Sequence, residues 1–244
     1  MKKERLDKVL VDTGLVKSRE RAKALIMRGK VVVAGMSVLK AGSLVDPGSS
    51  IVLKDDDIPF VGRGGVKIDA AIERFSIDLA GRIIMDVGCS TGGFTDCVLK
   101  KNARKVYAID VGYGQFDWSL RNDPRVVLLE KTNIRYLDPK LIGDSIDCAV
   151  IDVSFISLLK VLPAVRDFLT PSGIVLALIK PQFEVGRYQV GKGGIVKGEA
   201  DRLAAVDRVR EGAAALGFVE LGLLQSPITG QKGNIEYFIY LGRG

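Results

Sequence analysis

Apolar side chains recur at helical spacing at Leu6, Val9 and Leu10, Thr13 extends the row, and Gly14 stops it. Ser18 is a favourable N-cap for a second helix, with Ala22, Leu25 and Ile26 on its apolar side and Gly29 at its end. The period then shortens. Residues 31–33, the Ala34-Gly35 turn and residues 36–39 predict a hairpin, Asp46-Pro47-Gly48 a turn, and residues 51–53 a closing strand. Asp55-Asp56-Asp57-Ile58-Pro59 breaks this rhythm, and glycine-rich residues 60–65 follow. The pattern predicts a small α+β domain over 1–58, a linker over 59–65 and a second domain over 66–244.

In the second domain, strand-like runs at 82–87, 105–110, 125–129, 146–153 and 173–179 alternate with helical runs at 94–101, 158–168 and 199–216. That alternation predicts an α/β fold, a mostly parallel sheet with helices on both faces. Residues 219–224 and 236–241 are joined without a helix, which predicts an antiparallel pair at the sheet edge.

Composition narrows the chemistry. The 244 residues include no histidine, which excludes the Ser-His-Asp triad, the Cys-His dyad and every His-containing metal site. Cys89, Cys97 and Cys148 are too few for a four-Cys zinc site and too sparse for a disulfide framework, so no metal is expected. Apolar stretches such as 174–179 fall far short of the roughly 20 residues that span a bilayer. No signal-type apolar run follows Met1-Lys2-Lys3-Glu4-Arg5, so a cytoplasmic protein with no membrane contact is expected.

Charge marks out the first domain. Residues 1–30 hold ten Lys or Arg against four acids, an excess of +6 out of +7 for the whole chain. Such asymmetry points to a nucleic-acid-facing element. Lys8, Arg19, Arg21, Lys23 and Arg28 are the candidate RNA contacts. Two short basic helices followed by small strands, with Arg28-Gly29-Lys30-Val31-Val32-Val33-Ala34-Gly35 between them, resemble the RNA-binding module of small-subunit ribosomal protein four. The resemblance implies phosphate contacts to structured RNA from a helix surface.

The first strand of the second domain ends in Met85-Asp86-Val87-Gly88-Cys89-Ser90-Thr91-Gly92-Gly93-Phe94-Thr95. A glycine-rich turn between strand and helix lets backbone approach a ligand. The dinucleotide pattern G-x-G-x-x-G is absent, and Asp86 before the turn suits a ligand carrying an amine rather than a pyrophosphate. Asp110 ends the next strand, where an acid can bind ribose hydroxyls. This arrangement resembles the class I methyltransferase fold. The resemblance implies S-adenosylmethionine held by Asp86, Gly88, Ser90, Gly92, Gly93 and Asp110, with Asn133 as the adenine contact. Phe116 and Trp118 are expected to pack. Residues 186–197 read equally as a mobile flap or a surface loop.

Without histidine, lysine is the candidate base. Lys67 lies on the helix before the first strand, Asp152 and Lys180 end apolar strands, and Glu236 opens the last strand. Taken singly, each reads as an ordinary salt-bridge residue. Together they resemble, in order and placement, the Lys-Asp-Lys-Glu tetrad of FtsJ-like ribose 2′-O-methyltransferases. Arg63-Gly64-Gly65-Val66-Lys67, Asp152-Val153-Ser154-Phe155 and Lys180-Pro181-Gln182-Phe183-Glu184 extend the match, and the whole chain resembles the TlyA family. That resemblance implies 2′-O-methylation of cytidine in ribosomal RNA, acting on rRNA or assembled subunits. An assembly factor with little turnover and a haemolysin are the alternatives. The residues leave the target nucleotide, the subunit and the oligomeric state open.

Overall fold

The helical spacing at the N-terminus folds as β1 (Glu4–Arg5) running into α1 (Leu6–Asp12), which packs on α2 (Arg19–Met27). Leu6, Val9 and Leu10 are buried with Ala22, Leu25 and Ile26. Ser18 caps α2, its Oγ accepting the Arg21 N–H at 3.2 Å. In a computed structural model that describes residues 3–16, 18–27, 29–53, 59–230 and 232–244, the chain divides into units 1–58 and 59–244. The first unit is completed by two small sheets. β2 (Val31–Val33) lies between β3 (Met36–Ser37) and β5 (Ile51–Leu53), and β4 (Leu44–Val45) pairs with β1.

The second unit opens with α3 (Arg63–Arg74), β6 (Ile83–Val87), α4 (Gly93–Lys100), β7 (Lys105–Ile109), α5 (Trp118–Arg121) and β8 (Val126–Leu129). It continues through β9 (Ile146–Ile151), α6 (Leu162–Phe168), β10 (Leu169–Ile179), α7 (Pro181–Glu184), α8 (Glu199–Ala215), β11 (Phe218–Gln225) and β12 (Tyr237–Arg243). The sheet order is β11-β12-β10-β9-β6-β7-β8, and only β12 runs antiparallel to its neighbours. Every residue of β6 is buried, as expected of a parallel strand covered on both faces. Leu162 and Val165 of α6 and Val206 and Val209 of α8 join the central core.

β11 and β12 form the expected antiparallel pair at the sheet edge, with β12 lying between β10 and β11, and four other expectations are revised. Residues 158–160 form a separate 3-10 turn before α6, whose first turn contains Pro163. β10 starts at Leu169, before a register break that spans Thr170-Pro171-Ser172-Gly173. Residues 59–65 are not a free linker. Phe60 is buried beneath the Lys100 ammonium, Val61 N–H donates to Asp96 at 2.8 Å, and α3 starts at Arg63. Finally, Phe116 packs in the core but Trp118 is 76% exposed, because the four-residue α5 turns Leu120 inward instead.

Candidate active site

Loops at the carboxyl end of the sheet converge at Gly88. Its φ is +85°, and a Cβ there would lie 2.5 Å from the Asp152 carbonyl oxygen, so only glycine fits. Asp152 N–H donates to Val87 O at 2.9 Å and Gly88 N–H to Ile109 O at 2.8 Å. The first, second and fourth strand ends are thus locked together. At Gly92, φ is +93° and a Cβ would sit 2.5 Å from Leu120 Cδ1. Asp110 holds the turn from the other side, accepting from Ser90 N–H at 2.8 Å and Gly112 N–H at 2.7 Å. Gly93 opens α4 directly behind the turn.

Asp86 is wholly buried. Thr95 Oγ1 donates to its Oδ2 at 2.6 Å, while Oδ1 has no partner among the described residues. Burial pushes this carboxyl up to about 7, opposed by the Thr95 hydrogen bond and reinforced by the nearby Asp152 charge. Asn133 lies four residues beyond β8, and its Oδ1 accepts the Arg135 N–H at 3.1 Å, capping the 134–136 turn.

The four tetrad positions are brought to one end of the sheet as two ion pairs. Ile179 pairs with Tyr237 across β10 and β12, and Ala177 with Ile151 across β10 and β9. Lys180, Glu236 and Asp152 therefore leave the sheet at the same end. Lys180 Nζ lies 2.6 Å from Asp152 Oδ1 and donates to Ser154 Oγ at 2.9 Å. Lys67, arriving from α3, lies 2.6 Å from Glu236 Oε2, both buried. No chemical pattern in the sequence singles out Ser154. Its only signal is its place two residues after Asp152. Phe155 beside it is 90% exposed, has φ +62° and lies 5.1 Å from the Phe183 ring. Part of the 186–197 segment is pinned, not floppy. Val196 is buried, its N–H donates to Asn234 Oδ1 at 3.0 Å, and Asn234 Nδ2 donates to Gly194 O at 2.8 Å.

In the first unit the basic residues divide. Lys8 pairs with Glu4 at 2.7 Å and Asp12 at 3.5 Å. Arg19 pairs with buried Asp7 at 2.9 Å. Arg5 and Arg19 hold the Asp7 carboxyl well below the usual carboxylate range. Lys23 makes no ion pair among the described residues, and Arg28 lies outside them.

The sheet order, its one antiparallel strand and the glycine turn after the first strand define a class I methyltransferase domain. The FtsJ-like methyltransferase family profile matches residues 60–243 and the S4 domain profile residues 4–51. The chain belongs to the FtsJ-like methyltransferase family and carries an S4 domain ahead of it. It is 45% identical over 241 residues to the 16S/23S rRNA (cytidine-2′-O)-methyltransferase TlyA of Mycobacterium tuberculosis, covering 98% of this chain and 90% of that one. It is 40% identical over 238 residues to hemolysin A of Brachyspira hyodysenteriae, covering 97% and 98%. A solved hemolysin-named structure from Streptococcus thermophilus superposes with a TM-score of 0.78 at 42% identity, covering 100% of this chain and 89% of that one. A methyltransferase structure from Aquifex aeolicus shares the fold, with a TM-score of 0.54 at 16% identity, covering 77% and 95%.

Proposed function

We propose that the protein methylates the ribose 2′-hydroxyl of cytidine in ribosomal RNA, using S-adenosylmethionine. The observation that carries the reading is the pair of ion pairs, Lys67–Glu236 and Lys180–Asp152, set at one sheet end beside the Gly88 turn. Ribosomal RNA and cytidine come from the near full-length similarity to the mycobacterial relative. The chemistry that bound S-adenosylmethionine supplies is an activated methyl on a sulfonium centre.

The residues fit that cofactor. Gly88, Ser90, Gly92 and Gly93 form a tight turn in which the glycines fit where a Cβ would clash with the protein, and Asp110 is the candidate for the ribose hydroxyls. The unpartnered Oδ1 of Asp86 is a buried acceptor suited to an amine donor. Asn133 is the adenine candidate on its second amide face. A ribose hydroxyl is a weak acid, so its proton must leave as the methyl arrives. Once its Nζ has released a proton to solvent, the neutral amine of Lys180 takes the ribose proton, and Asp152 and Ser154 aim it. Lys67 and Glu236 set the adjoining wall. Lys8, Arg19, Arg21, Lys23 and Arg28 hold RNA phosphates.

The test is mapping of ribose methyls on ribosomal RNA from cells lacking the protein, followed by treatment of their subunits with purified protein and cofactor. One or more cytidine 2′-O-methyls should be absent and then restored. Unchanged methylation in both arms would sink the reading. The hemolysin names of relatives raise membrane lysis as a second reading. No helix among the described residues is long and apolar enough to cross a membrane, and purified protein is expected to leave erythrocytes intact.

A further inference from the structure

Asp152 and Lys180 both lie beyond the last paired residues of their strands. The β9–β10 ladder ends at Ile151 and Ala177, so the sheet itself no longer sets the distance between the two side chains. Something must fix the loop after β9 against the helix after β10. The sequence motif that contains Lys180 continues to Glu184, a residue without a role in the site described so far.

Glu184 spans that gap. Its Oε2 accepts the Ser157 hydroxyl at 2.7 Å and its Oε1 accepts the Leu158 N–H at 2.7 Å. On its own side it is tied to Lys180 through α7, where Phe183 N–H donates to Lys180 O at 2.9 Å and Val185 N–H to Pro181 O at 3.0 Å. From α8, Arg208 Nη1 donates to the Glu184 carbonyl at 2.6 Å. The side chain is buried, and burial raises its carboxyl above the ordinary range. A buried carboxylate whose two oxygens meet only neutral donors is a costly way to fill space. The loop it holds carries Ser154, which accepts from Lys180, and Phe155, whose strained backbone and exposed ring lie against Phe183.

We propose that Glu184 is a positioning residue for methyl transfer: it staples the 152–158 loop to the helix that starts at Lys180 and so fixes the Asp152–Lys180 geometry. It touches neither RNA nor cofactor. The inference rests on Lys180 being the proton acceptor of the proposed function, and it deepens that reading.

Three variants and two readouts test it. Glu184→Ala removes both bonds. Glu184→Gln keeps them, because the amide oxygen accepts from Leu158 and the amide nitrogen donates to a rotated Ser157 hydroxyl. Ser157→Ala removes one of the two Glu184 bonds, together with the Leu159 N–H cap at 3.3 Å, and guards against a Glu184→Ala protein that does not fold. Hydrogen exchange at the Leu158 amide reads the staple without any substrate. It should accelerate in Glu184→Ala, less in Ser157→Ala, and stay protected in Glu184→Gln. Single-turnover methylation of ribosomal subunits should fall by about 10–100-fold in Glu184→Ala, since misplacement of a reacting group by an ångström costs on that order. Cofactor and RNA affinities should hold, and Glu184→Gln should restore most of the rate. In an Asp152→Asn background, Glu184→Ala should add little further loss, because both act on one pair. A folded Glu184→Ala protein with normal turnover overturns the proposal. So do a Glu184→Gln protein as damaged as Glu184→Ala, or full additivity with Asp152→Asn. A wild-type protein that fails to methylate subunits defeats the proposed function instead, and the exchange data still decide the staple.

Discussion

At the scale of single residues, Lys180 carries the sharpest consequence. Its Nζ is held between Asp152 and Ser154 at the mouth of an apolar strand. If it takes the ribose proton, Lys180→Ala lowers single-turnover methylation by about 10²–10⁴-fold while cofactor and RNA still bind. Lys180→Arg keeps the charge but cannot accept a proton at neutral pH, so it stays inactive. Activity restored by Arg would make Lys180 a fixed charge. Asp86 gives a second test, in stability. Its folded-state carboxyl titrates near 7, against about 4 when unfolded. The folded form therefore favours the protonated acid. That contribution is fully present below about pH 4 and is lost as pH rises to about 7. Asp86→Asn is neutral throughout, so its stability relative to wild type should climb between those limits and level off above them. The total gain is on the order of 4 kcal/mol by linkage. Urea titrations across pH without cofactor measure it. A flat difference would mean that Asp86 is not desolvated as the structure shows.

At the scale of elements, the strands and the tetrad were legible and the loops were not. The β6 and β9 runs are apolar at nearly every position because helices cover both faces, and such runs stand out in one dimension. Asp152, Lys180 and Glu236 could be picked out because each abuts a strand, and Lys67 by its place in the helix before β6. Pairwise bonding was illegible, since Lys67–Glu236 joins residues 169 apart in sequence. Trp118 misled because apolar content alone does not say which way a one-turn helix faces. Glu184 and Ser154 were quoted in motifs but gained roles only through contacts between strand ends. The Lys67–Glu236 pair separates catalysis from folding. Glu236→Ala strands a buried ammonium and should cost about 3–5 kcal/mol. The double variant Lys67→Met, Glu236→Gln removes both charges and should recover most of that stability. Methyl transfer should stay lost in both. Recovery of activity together with stability would reduce the pair to a structural role.

At the scale of the whole molecule, the charge excess of the first thirty residues is only partly available to RNA. Arg19 helps to hold Asp7, which lies in the first turn of α1 with no exposure at all. Removing Arg19 would weaken RNA binding and the small domain together, so it is a poor probe. Lys8 is flanked by Glu4 and Asp12 on its own helix. Arg21 and Lys23 lie on α2 among the candidate phosphate contacts. Each phosphate contact contributes roughly 0.7–0.9 to the slope of log affinity against log salt. Arg21→Ala with Lys23→Ala should therefore lower that slope by about 1.5, with a weaker RNA complex at every salt concentration. Lys8→Ala should change the slope by much less, because its ammonium already has two carboxylates for neighbours. Cofactor affinity should be untouched in the double variant, since neither side chain lies in the second unit. The measurement is a fluorescence titration of ribosomal RNA fragments over a range of potassium chloride concentrations. An unchanged slope in the double variant would assign RNA contact to other residues and leave this helix face as solvated surface.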